Sequence, residues 1–104
     1  MSILAMTLAT VLGTCSLNNQ PAERCVMVYE ITADRMVAVG WRTSSEGSIV
    51  FGGPQVSTTR MNIEAVKFNE AAAQPLQGYC IVSTTITCHF SIGNKAHVFT
   101  YVED

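Results

Sequence analysis

The chain has 104 residues, of which 48% are hydrophobic and 13% charged, and its formal net charge is −2. This length allows one domain with a modest core, and the composition excludes an intrinsically disordered chain. The sequence has no basic stripe, so we expect no nucleic-acid partner.

The N-terminal segment is apolar, and Ser2 to Thr14 contains no charged residue. It is too short to span a bilayer, which takes about 20 residues, but it has the length of a signal-peptide core. We therefore predict a leader at residues 1–16 and export to the periplasm or the medium. No membrane contact is expected beyond this leader or a lipid anchor at Cys15. The alternative is a buried helix capped by Ser2 in a cytoplasmic protein.

The predicted domain begins after a polar connector at residues 17–24 and covers residues 25–104. We expect it to be a single β domain because runs rich in β-branched and aromatic residues recur along it.

The first predicted hairpin joins strands at residues 25–32 and 35–41. A two-residue turn between them would place Val26 opposite Trp41. Both faces of this hairpin are apolar, which predicts a central element that is covered on both sides.

The middle of the chain contains a short predicted strand at residues 48–51, which Gly52-Gly-Pro54 ends. Residues 56–68 then form a strand that ends near Phe68, followed by an alanine-rich loop. A helix within residues 62–74 is the alternative, because this segment has good helix propensity.

The C-terminal hairpin is predicted from residues 78–92 as one strand and from a second strand after Gly93-Asn94, a strong turn signal. A two-residue turn sets the register, which gives one apolar face and one hydroxyl-rich face. The apolar face consists of Ile86, Cys88, Phe90, Phe99 and Tyr101. His97 lies opposite Phe90 at the rim of the apolar face, and His89 lies on the hydroxyl-rich face.

Together these elements predict a mainly β fold, an antiparallel meander of about five or six strands closed as a small barrel or a sandwich. The alternative is an α+β fold in which one helix, at residues 62–74 or at the N-terminus, packs on the same sheet.

The cysteines of an exported domain are expected to form disulfides. On one continuous strand, Cys80 and Cys88 would lie about 26 Å apart, beyond the ~7 Å that a bridge allows. Unless the strand breaks between Cys80 and Cys88, the sequence therefore predicts a bridge from Cys25 to Cys80 or Cys88.

The residue types that bind metals or catalyse reactions do not converge in this prediction. Adjacent strand residues such as Cys88 and His89 point to opposite faces, so they cannot both join His97 and Cys80 around one ion. No nucleophile motif is present. We therefore expect no metal, no cofactor and no enzymatic activity.

Three residues are weak binding candidates. Trp41 and Arg42 precede the turn at residues 44–47 and belong to types that are enriched at interaction hot spots, although Trp41 is also a core candidate. His89 stands in a row of serines and threonines that could present repeated hydroxyl groups.

The function predicted from these observations is that of a non-enzymatic exported domain, a protein-interaction or inhibitor-like module that presents side chains from its turns. The first alternative is a carrier that holds a small apolar ligand inside a barrel. A metal-binding or enzymatic domain is the remaining alternative.

Overall fold

The computed structural model describes residues 9–18, 20–32, 34–43, 47–83 and 85–104. Every strand pairs antiparallel with the next one along the chain, and the last pairs with the first, so the sheet is a closed barrel. The strands are β1 (Ala9–Leu17), β2 (Glu23–Ile31), β3 (Met36–Thr43), β4 (Gly47–Pro54), β5 (Arg60–Phe68), β6 (Gln74–Val82), β7 (Thr85–Ile92) and β8 (Lys95–Glu103). The predicted mainly β meander and its closure as a barrel are confirmed, and the structure adds strands to the predicted number.

Alternation along the strands places the core inside the barrel. In β2, Cys25, Met27, Tyr29 and Ile31 are buried, whereas the residues between them face outward. The centre of the core is Trp41, whose ring centroid lies 4.5 Å from that of Phe99, 5.9 Å from Phe51 and 6.2 Å from Tyr101.

Closure of the barrel depends on the pairing of β1 with β8. A side chain at Gly13 would place its Cβ 2.4 Å from the carbonyl oxygen of Val102 and 2.5 Å from the ring of Tyr101. The glycine at position 13 therefore allows the Tyr101 ring to lie against β1. The Tyr101 hydroxyl donates a hydrogen bond to the carbonyl oxygen of Val11 at 3.2 Å.

An exposed ion pair spans the same closure from outside. The Arg24 guanidinium donates two hydrogen bonds, of 2.7 and 2.6 Å, to the carboxylate of Asp104. The hydrogen bonds to Asp104 and its charge raise the pKa of Arg24. The pair links the start of β2 to the end of β8 across β1.

Strand β1 changes the predicted division of the chain. Residues 9–16, which the sequence assigned to a leader, form most of this strand, so an N-terminal helix is absent there. Residues 1–8 lie outside the described residues, and the processing of a leader stays a prediction. The predicted connector at 17–24 is the loop between β1 and β2 together with the ends of both strands.

The register predicted for the C-terminal hairpin is confirmed. Cys88 pairs with Phe99, Phe90 with His97, and Gly93 has a positive φ of 61° in the turn. The predicted single strand at 78–92 is wrong, because the chain reverses after Ser83 and residues 78–92 contribute to both β6 and β7.

This reversal also overturns the predicted disulfide connectivity. Cys80 and Cys88 pair directly across β6 and β7 and form a bridge, with Cα atoms 4.0 Å apart. Cys25 bonds to Cys15 on β1 instead, with Cα atoms 5.9 Å apart. All three candidate cysteines form disulfides, but with other partners than predicted.

The β2–β3 hairpin differs from the prediction by one residue. Val26 pairs with Arg42, and Met27 pairs with Trp41. The reason is a three-residue loop, since the Thr32 nitrogen bonds to the carbonyl of Met36. The predicted cover on both faces is also wrong, because Val28 on the outer face is 40% exposed.

Strand β4 continues through the glycines that were predicted to end it. A Cβ on Gly53 would clash with the carbonyl oxygen of Asn62, so Gly53 permits a close approach of β4 to β5.

Strand β5 ends at Phe68 as predicted, and no helix occurs in residues 62–74. A register shift between Ile63 and Ala65 turns Val66 inward. Strict alternation would place Val66 and Met61 on opposite faces, but the shift leaves both buried.

Candidate functional site

The interior of the barrel between the described strands is filled by side chains. The largest of the fully buried side chains are Trp41, Tyr101, Phe51 and Met61. The buried Trp41 Nε1 has no hydrogen-bond partner in the described part of the chain. A ligand site must therefore lie at an end of the barrel or on its outer surface.

The residues considered for metal binding or nucleophilic catalysis lie apart. Cys88 is bonded to Cys80, and His97 lies at the rim, stacked on Phe90 with ring centroids 5.4 Å apart. His89 projects from the outer face. Among the described residues, no three His, Cys, Asp or Glu side chains are grouped to hold a metal ion.

One end of the barrel has a small opening with a volume of about 120 Å³. Its walls are mainly apolar, and they include Leu17, Pro21, Ile49, Phe68 and Phe99. A dry protein cavity of about 150 Å³ holds a benzene molecule, so this opening suits only a ligand of about that size.

Two asparagines brace the loops around this opening, each with a positive φ, 55° at Asn18 and 51° at Asn69. The Asn18 side chain accepts a hydrogen bond from the Val98 nitrogen at 3.0 Å and contacts His97 Nδ1 at 3.2 Å. The Asn69 side chain accepts one from the Ser48 nitrogen at 2.8 Å. The rim is thus held by specific bonds rather than by packing alone.

The outer face of β2–β4 carries an apolar depression with a volume of about 480 Å³. Gly40 lies at its centre because it pairs with Val28 on one side and Val50 on the other and has no side chain of its own. Leu12, 56% exposed, is directly opposite Val26 and extends the apolar area onto β1. We call this the Gly40 depression.

Two of the sequence candidates line the Gly40 depression. Arg42 is exposed at its rim, opposite Val26, and forms no ion pair within the described ranges. Trp41 is only 2% exposed, so its ring belongs to the core and cannot insert into a partner.

The opposite side of the barrel carries a stack of three planar side chains on β5, β6 and β7. The Tyr79 and His89 rings are 5.0 Å apart with planes inclined by 27°, and the Arg60 guanidinium carbon lies 4.2 Å from the Tyr79 ring centroid. We call this the Arg60–Tyr79–His89 stack. It includes the sequence candidate His89 and two residues that sequence reasoning missed.

The missed residues, Arg60 and Tyr79, become a pattern only when strands are aligned. Tyr79 pairs with His89 because the chain turns between β6 and β7, and no glycine or proline marks that turn in the sequence. Gly40 does have a local signal, since a glycine within a strand predicts a bulge or a close backbone approach, but the sequence does not show that valines flank it on both neighbouring strands.

The fold and these sites define the class of the protein, an eight-stranded antiparallel meander barrel with two disulfides, a filled interior and two distinct outer faces. Comparison with protein-family models, with curated proteins and with solved structures found no match. In the part of the chain that the structure describes, no helix has the length and apolar character to cross a membrane.

Proposed function

We propose that the protein is a non-enzymatic exported module that binds a protein partner at the Gly40 depression. The observation that carries this proposal is the exposed apolar area formed by Leu12, Val26, Val28 and Val50 around a residue without a side chain. A contiguous exposed apolar patch with a polar rim is typical of a protein interaction surface.

The closed sheet limits how a partner can bind. In the described part of the chain every strand pairs with two neighbours, although residues 9–12 of β1 pair only with β2, so the closed barrel has no edge strand to which an extended peptide could add along its whole length. We therefore expect a partner to bind mainly through side-chain contacts. The depression suits an apolar anchor residue, and Arg42 at its rim suits a neighbouring carboxylate.

Export is supported by the cysteines, because stable disulfides form in oxidising compartments. Lipidation of Cys15 would use the sulfur that bonds to Cys25, so the structure favours an exported form without this anchor. Cleavage within residues 9–16 would remove part of the strand that closes the barrel. We therefore propose that the exported form retains β1.

The experiment compares two valine-to-lysine variants by partner capture from an envelope extract and from culture medium. Val28 is 40% exposed inside the proposed site, and Val102 is 48% exposed on the outer face of β8. The wild type and Val102→Lys should recover the same stoichiometric partner, and Val28→Lys should lose it because a charge enters the apolar site. Equal recovery by Val28→Lys, or no stoichiometric partner for the wild type, would refute the proposal.

A second candidate function is the carriage of a small apolar ligand, which the opening at the end of the barrel favours. Buried side chains occupy the barrel interior, so the ligand would be of about benzene size rather than a lipid. Native mass spectrometry with small aromatic ligands tests this candidate. Binding that Ile49→Trp abolishes supports it, and the absence of any bound ligand at millimolar concentration opposes it.

A further inference from the structure

The Arg60–Tyr79–His89 stack lies outside the proposed docking site, since β3 and β7 are on opposite sides of the barrel. We infer that the outer face of β6–β8, with Arg60 at its border, is a second binding site, which takes an acidic peptide segment.

The first argument is the state of the Arg60 side chain. The side chain is exposed, and within the described ranges it forms no ion pair and no side-chain hydrogen bond. Its guanidinium group makes a cation–π contact with the Tyr79 ring. A guanidinium has five N–H donors in a rigid fork that matches a carboxylate. These donors are therefore positioned but unused.

The second argument is pre-organisation. Arg60 on β5 and His89 on β7 flank Tyr79 on β6, so the three planar groups support one another. Ordering a long arginine side chain on binding normally costs conformational entropy. The stack already restricts the Arg60 side chain before a ligand binds, so less entropy is lost on binding.

The third argument is the local charge. The outward positions of β6, β7 and β8 contain no Asp or Glu, although the chain has 8 acidic and 6 basic residues. The cross-strand neighbour of Arg60 is Ile81, and beyond it a row of hydroxyl donors crosses the face, in which Thr87 pairs with Thr100 and Thr100 with Ser16. A carboxylate-bearing ligand on the outer face of β6–β8 therefore meets Arg60 and these donors, and the exposed acidic residue on β5 is Glu64, four residues from Arg60.

The fourth argument concerns what the stack cannot do. Both faces of the Tyr79 ring are occupied by its neighbours, which leaves ring edges and N–H groups for a ligand. Recognition must use charge and hydrogen bonds, not stacking of a sugar or a base on the ring. An acidic peptide supplies both carboxylates and backbone acceptors, and it can follow the row of hydroxyl groups.

The test is a titration of the full-length protein into a fluorescein-labelled hexaglutamate peptide, followed by fluorescence anisotropy at low and moderate salt. We expect saturable binding that weakens as salt rises, despite the net charge of −2 on the protein. Arg60→Gln should weaken binding about tenfold, because it removes the charge-assisted bonds.

The matched control is Arg35→Gln, an exposed arginine between β2 and β3 that lies outside both proposed sites, which should bind the peptide like the wild type. Tyr79→Phe retains the stack and should retain binding. Tyr79→Leu frees Arg60 and should weaken binding, with the thermal midpoint measured to show that each variant is folded.

Three results would overturn the inference. They are no saturable binding at millimolar peptide, equal losses in Arg60→Gln and Arg35→Gln, or binding of an oligogalacturonate through Arg60 without binding of hexaglutamate. The last result would assign the face to an acidic polysaccharide instead. Because Val28→Lys leaves this face intact, failure here and failure at the Gly40 depression are distinguishable.

Discussion

The outer faces of β2–β4 and β6–β8 belong to the same barrel and differ in character, although the second also exposes Ile81 and Val102. One is apolar around Gly40, with valines at the neighbouring positions, whereas the other has a stacked tyrosine and histidine beside hydroxyl groups. The inward residues of both halves are alike, because they share one core. The comparison shows that the core determines the residues on one side of each strand and leaves those on the other side free to vary.

The largest expected effect is at Gly13, where β1 pairs with β8 and closes the barrel. Gly13→Ala should destabilise the protein by about 3 kcal/mol, because its Cβ meets backbone and ring atoms that cannot easily move. Urea denaturation measures this. Gly52→Ala is the control, since its Cβ would lie 3.8 Å from its nearest neighbour and should cost much less. Equal losses would contradict the described closure.

One disulfide joins β1 to β2 and the other joins β6 to β7, and removing either should reduce the free energy of unfolding by a similar amount. The bridges Cys15–Cys25 and Cys80–Cys88 close loops with sequence separations of 10 and 8. Loops of this length correspond to about 2.5 kcal/mol in the chain-entropy model. Paired alanine variants, compared by chemical denaturation, test this. A peptide map showing Cys25 bonded to Cys80 or Cys88 would contradict the connectivity.

A smaller effect is expected at alkaline pH. Burial raises the pKa of Tyr29, and burial with the charges of Glu103 and Asp104 raises that of Tyr101. A raised pKa means that the folded state binds the phenolic proton more tightly than the unfolded chain does. The stabilisation is complete below the unfolded pKa of about 10 and is lost as pH rises through the folded pKa.

The measurement is the urea midpoint at neutral pH and at pH values above about 10. The double variant Tyr29→Phe/Tyr101→Phe should lose less stability than the wild type over this interval. At neutral pH it should be less stable by about 1 kcal/mol, because Tyr101 no longer bonds to Val11. An unchanged alkaline loss in the variant would show that these tyrosines are not responsible.

Sequence reasoning succeeded where the information was local. Gly93-Asn94 defined the last hairpin because a two-residue turn sets the register of both strands, and the pairing of Cys88 with Phe99 followed. The same reasoning failed at β2–β3, where Arg35 adopts a positive φ of 63° without being glycine or asparagine. An unexpected loop length then shifted every pair by one residue.

The remaining errors arose from contacts that are distant in sequence. Gly53 looked like a strand breaker, but it allows a close approach to Asn62. Residues 9–14, within the predicted leader, belong to β1, and their sequence gives no sign of the distant pairing of β1 with β8, while the processing of a leader stays a prediction. The candidate sites were missed for the same reason, since Arg60, Tyr79 and His89 become neighbours only after three strands pair.

The central claim is that the two outer faces are separate binding sites of different chemistry. A map of backbone amide chemical shifts during titration with hexaglutamate tests it most directly. The account predicts shifts at Arg60, Tyr79, Thr87 and His89 and none around Gly40. Shifts at the Gly40 depression, or shifts spread evenly around the barrel, would contradict it.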